Sequence, residues 1–154
     1  LTEVAHLIDR RNRWAEAENS PASDGERVMV GLSSRGPGIP ALLRKTSRLA
    51  DRLNAPWCAV YIQTPAEDLT RIDAATQRAI AKNLELAQQL GGVPMTFRGK
   101  EVADTIAAFV REYGIKVIVM GKTRRPWHHR LRGRSILERV LDQTHGVDVV
   151  IVDV

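Results

Sequence analysis

A chain of 154 residues, 44% hydrophobic and 27% charged, fits one globular domain, which at this length hides roughly 70% of the surface of its unfolded chain. Its single cysteine, Cys58, excludes an intrachain disulfide and makes a cytoplasmic setting the expectation. The longest apolar run is about half of the roughly 20 residues that a spanning helix needs, and the formal net charge is +5.

The chain opens on Leu1 rather than Met and carries no charged-then-apolar leader, so we expect a soluble, excised or processed piece whose parent protein can be membrane-bound. Residues 1–18 place Val4, Leu7, Ile8, Arg11 and Ala15 on one side, which predicts a short amphipathic connecting helix. Residues 19–25, from Asn19 to Gly25, are dense in turn formers and read as a linker. The main domain is expected over 26–154.

Within that domain, short apolar runs alternate with helical patterns. Val28, Met29, Val30 and Leu32 form a run suited to a buried strand and end at Ser33 and Ser34. From Ile39, the positions Leu42, Leu43, Thr46, Leu49, Ala50 and Leu53 recur at helical spacing, with Arg44, Lys45, Arg48 and Arg52 opposite. Trp57 to Ile62 is aromatic and β-branched and reads as strand two. A second helix is predicted from about Thr70 to Leu90, stopped by Gly91 and Gly92. Val93 to Phe97 contains Pro94 and belongs at a sheet edge. Val102, Ala103, Ile106, Phe109, Val110 and Tyr113 give the next helix one apolar face, which Gly114 ends. Lys116 to Met120 is the fourth strand, Ser135 and Glu138 form a capping box for a last helix, and Val147 to Val152 is the final strand.

Five strand and helix alternations predict an α/β fold, a mostly parallel sheet with helices on both faces and right-handed crossovers. Such sheets bind ligands at the carboxyl ends of their strands, where strand order reverses. That directs attention to the segments after Leu32 and Met120. In the second of these lie six of the 23 basic residues, Lys122, Arg124, Arg125, Arg130, Arg132 and Arg134, with no acid among them. The remaining 17 basic residues face 18 acidic ones, so the rest of the chain sums to −1 and the basicity is local.

The runs VMVGLSS, APWCAVYIQTP, KEVADTIAAFVREYGIKVIVMGK and RGRSILERVLDQTHGVDVVIV, in that order, resemble the universal stress protein domain over nearly all of Glu26 to Asp153. The combination AVY-x-x-TP, MGK-x-RRPWHHRLRGRS and SILERVL resembles the version in the cytoplasmic N-terminal region of Kdp-type potassium sensor histidine kinases. The leading LTEVAHLIDRRNRWAEA is similar to the helix that joins their preceding nucleotide-binding region to this domain. The resemblance implies five strands in the order 3-2-1-4-5 and a parent in the inner or plasma membrane.

Nucleotide-binding members of the family carry Gly-x2-Gly-x9-Gly-Ser/Thr around the phosphates and an Asp at the end of strand one. Here Gly121 and Ser135 stand at the two ends of that motif, Arg124 and Arg134 occupy two of its glycine positions, Gly133 falls one place early, and Ser33 replaces the Asp. Lost glycines remove positions of close backbone approach, while guanidinium groups bind phosphate through paired, charge-assisted hydrogen bonds. A second motif accompanies cyclic di-AMP binding in the sensor-kinase branch: Ser-x-Ser, twenty residues, then Phe-Thr-Ala-x-Tyr. In this sequence, Ser34, Ala59 and Tyr61 agree with it at the right spacing, while Gly36, Trp57 and Cys58 depart. The implied anion or nucleotide site therefore comprises Ser33, Ser34, Tyr61, Gly121, Lys122, Arg124, Arg125, Arg132, Gly133 and Ser135, with ATP, AMP or cyclic di-AMP as ligand and no required cofactor.

Other chemistry finds no support in the residues. Gly121-Lys122-Thr123 is no Walker A ending, because Lys116 stands where that motif needs glycine. No G-x-S-x-G elbow exists, and Cys58 inside an apolar strand reads as a packed thiol. His128 and His129 are adjacent and lack the spacing of a zinc site, so no metal is expected. With Trp127 they would stack on a base or, the reading we favour, cover the sheet edge. Nucleic acid is not an expected partner, because the charge occupies one loop rather than a groove or helix stripe. The expectation is a non-catalytic sensory domain of a potassium or turgor two-component kinase, partnered by other domains of its parent. The alternatives are a protein or membrane-surface platform that has lost nucleotide binding, and a freestanding ATP-binding stress protein that dimerises through its last strand.

Overall fold

A computed structural model describes residues 26–32, 38–63, 73–98, 102–122 and 136–153. The expected connecting helix over 1–18 and linker over 19–25 lie outside them. The elements in chain order are β1 (Arg27–Leu32), α1 (Ile39–Leu53), β2 (Trp57–Gln63), α2 (Ala74–Gln89), β3 (Val93–Arg98), α3 (Val102–Glu112), β4 (Ile115–Gly121), α4 (Ile136–Asp142) and β5 (Asp148–Val152). The sheet order is β3-β2-β1-β4-β5 and all four pairings are parallel, so the expected order holds and "mostly parallel" becomes wholly parallel among the described strands.

The two-residue period of the strands divides the core between the two faces of the sheet. Val28, Val30 and Leu32 of β1, Ala59 of β2 and Val117 and Val119 of β4 pack against Leu42, Leu43 and Ala50 of α1 and Ala87 of α2. Met29, Cys58, Val60 and Ile118 point the other way, onto Ala103, Ile106, Phe109 and Val110 of α3 and Val140 of α4. Because both faces are covered, the strands read as continuous apolar runs rather than as alternating ones. Full burial of side chains such as Leu43, Ile106 and Ile118 contributes roughly 1.5–3 kcal/mol each to holding the layers together.

Local signals explain most boundaries. Asp73, itself extended, accepts a hydrogen bond from the Thr76 backbone N–H at 2.7 Å and starts α2 at Ala74, four residues later than the periodicity predicts. Gly91 and Gly114 adopt φ values of +94° and +65°, which let the chain turn out of α2 and α3. Pro94 pairs in register with Ala59 without breaking β3, because an edge strand leaves one side of its backbone unpaired. The capping serine expected before α4, Ser135, lies outside the described residues.

Candidate functional site

Strand order reverses between β1 and β4, the central pair of the sheet, so their carboxyl ends diverge into connections that leave on opposite faces. β1 ends at Leu32, one place beyond the Gly31–Met120 pair, and β4 ends at Gly121, which pairs with Val152 of β5. Tyr61 of β2 lies beside Leu32 and is buried, 4% exposed. Beyond Gly121, the Lys122 backbone N–H donates to the Val152 carbonyl at 2.8 Å, and the Lys122 side chain is exposed. Three site residues predicted from sequence, Tyr61, Gly121 and Lys122, thus stand on one edge of the sheet. Ser33, Ser34, Arg124, Arg125, Arg132, Gly133 and Ser135 lie outside the described residues, although both segments that hold them spring from this edge.

Two side chains at this edge were not singled out from the sequence as site residues. Gln63 closes β2 with its side chain buried, an arrangement a polar residue accepts only when it is hydrogen-bonded. Lys45 of α1 donates from Nζ to the Asp153 carbonyl at 3.3 Å, which sets an ammonium group beside the end of β5, two strands from the β1 terminus. Arg44, Lys45, Arg48 and Arg52 are all exposed on α1, whose first turn carries no acid. Their helical spacing is visible in the sequence, but the meeting of Lys45 with the end of β5 requires the tertiary crossover of α1.

Other candidates separate from this edge. Trp57 stands at the amino end of β2, four residues and roughly 13 Å along the strand from Tyr61, where it packs into the core. Cys58 is fully buried in mid-sheet, and desolvation pushes its thiol far above its ordinary pKa, an effect the positive Arg27 offsets only in part. A thiol held in that state is not a nucleophile. Among the described residues no three His, Cys, Asp or Glu side chains gather as a metal site, and no helix is long and apolar enough to cross a membrane.

The model of the universal stress protein family matches residues 26–153. The chain belongs to the universal stress protein family. Among curated relatives, a sensor protein KdpD of Escherichia coli K12 is 33% identical over 117 residues, covering 75% of this chain and 12% of that protein. The chain therefore spans a small part of the relative it matches. A universal stress protein family structure from Burkholderia pseudomallei superimposes with a TM-score of 0.58 at 23% identity, over 87% of this chain and all of that one. A universal stress protein solved in complex with cAMP superimposes with a TM-score of 0.57 at 20% identity, over 84% of this chain and 97% of that one. These likenesses establish the fold, and the family match together with the KdpD relatives makes this a universal stress protein domain of the KdpD kind.

Proposed function

We propose that this domain is a non-catalytic sensory module of a potassium- or turgor-responsive two-component kinase, and that it binds an anionic ligand, a nucleotide or cyclic di-AMP, at the edge where β1 and β4 diverge. The observation that carries this reading is the reversal of strand order between β1 and β4, with the exposed Lys122 at the mouth of the densest basic segment in the chain. Ligand phosphates would meet Lys122, Arg124, Arg125, Arg132 and Ser135, while Ser33, Ser34 and Tyr61 line the adjoining strand ends. A related fold solved with cAMP supports a nucleotide as the ligand class. The module would act on other domains of its parent because ligand binding stabilises one docked arrangement over another. The domain would work on the cytoplasmic side of a membrane-held parent.

A second reading is favoured by Arg124 and Arg134, which occupy glycine positions of the nucleotide motif: a platform for an acidic protein surface or anionic lipid, with the nucleotide cradle lost. Pairing of two copies through β5 fits either reading, since among the described residues that strand is paired on one side only and Ile151 on it is 57% exposed. Calorimetric titration with ATP, AMP, cAMP and cyclic di-AMP separates the readings. Saturable binding that weakens with salt supports the first, and heat from none of the four overturns it in favour of the platform.

A further inference from the structure

A cleft of about 890 Å³ opens between the edge strand β3 and α3. Its floor and wall are Val93, Met95, Phe97, Ala108, Phe109 and Tyr113. The Phe97 and Phe109 ring centroids lie 5.5 Å apart and those of Phe109 and Tyr113 4.8 Å, so the wall is a continuous aromatic strip. Val93, Met95, Phe97 and Tyr113 remain only half-buried. Two carboxylates, Asp104 and Glu112, stand on the α3 side of the same cleft, Asp104 accepting a hydrogen bond from Gln143 Nε2 at 2.8 Å. Apolar surface of this kind, rimmed by charge, is a binding face for another segment.

We infer that the occupant is this chain's own N-terminal segment, residues 2–18, laid along the cleft as an amphipathic helix. Three observations converge on it. The chain enters β1 at the foot of the cleft, because the Arg27 guanidinium Nη1 donates to the carbonyl of Tyr113, a cleft residue, at 2.8 Å. The seven residues 19–25 reach at most about 25 Å, and 17 helical residues span about the same length, enough to run beside the 11 residues of α3. The segment's pattern also complements the cleft. Val4, Leu7, Ile8 and Ala15 would cover the aromatic strip, and Arg11, a cation within that apolar stripe, would meet the carboxylate of Glu112. Docking there would carry changes in whatever precedes the segment directly to α3 and, through the contact of Arg27 with Tyr113, to the central strand.

Two measurements on the full chain test this. Ile8→Asp places a charge in the docked stripe without touching the core, and it is expected to speed amide exchange over 93–98 and 104–113 by more than about tenfold, as the loss of one buried aliphatic contact implies. The pair Ile8→Cys with Met95→Cys is expected to form an intramolecular disulfide well ahead of a control pair, Ile8→Cys with Arg78→Cys, on exposed α2. Unchanged exchange in Ile8→Asp, or equal oxidation rates for the two pairs, overturns the inference. A disulfide-linked dimer overturns it in favour of a second copy as the occupant.

Discussion

The indole of Trp57 lies against Gly92 so closely that a Cβ at position 92 would stand 2.7 Å from the Cη2 of the ring. The contact ties the start of β2 to the entry of β3, and the ring is too buried, at 4% exposure, to swing away. Gly92→Ala is therefore expected to destabilise the domain by roughly 1–3 kcal/mol, the range for overpacking a filled core. Urea unfolding followed by tryptophan emission checks it, and a midpoint equal to that of the unaltered chain contradicts it.

Burial of the Cys58 thiol links stability to pH. The unfolded thiol ionises near pH 8.5, whereas the folded one stays protonated well beyond that, so in alkaline solution the native state binds the extra proton. The thiol's contribution is fully present below about pH 8.5 and falls by up to about 1.4 kcal/mol per pH unit above it. Denaturation of the unaltered chain between pH 7 and 10, beside Cys58→Ala, isolates the effect. The alanine variant should be less stable at pH 7 and show the shallower decline. Parallel curves would remove the thiol from the account.

Lys122 holds its place through its backbone, donating to Val152, while its side chain points to solvent. Lys122→Ala is expected to leave the unfolding midpoint almost unchanged, within about 0.5 kcal/mol, and to weaken the best-bound nucleotide about fivefold at physiological salt. Calorimetry at two salt concentrations reads both the loss and its screening. Affinity that does not change on substitution removes Lys122 from the site.

Ile151 is a large apolar side chain, 57% exposed, on a strand that among the described residues is paired on one side only. If two copies associate through β5, Ile151→Asp should shift the sedimentation boundary toward the monomer by at least a tenfold rise in dimer dissociation constant, about 1.4 kcal/mol. An unaltered sedimentation profile would place any self-association elsewhere.

The alternation of runs such as Val28 to Leu32 and Val117 to Met120 with the helical spacing around Leu42 and Ile106 made the α/β class legible. Buried parallel strands and amphipathic helices differ in period and length, which are local properties of the chain. The glycine stops at Gly91 and Gly114 were legible for the same reason, since left-handed backbone is a cost each residue bears alone. The order 3-2-1-4-5 came from family resemblance, and the ends of the nucleotide motif at Gly121 and Ser135 came with it. Tertiary structure alone decided what lies beside what. It brought Lys45 to the end of β5 and opened an apolar cleft between β3 and α3 next to the entry of Arg27. Each of these joins residues tens of positions apart, and such pairings follow from strand register and helix crossover, which no local pattern of side chains encodes.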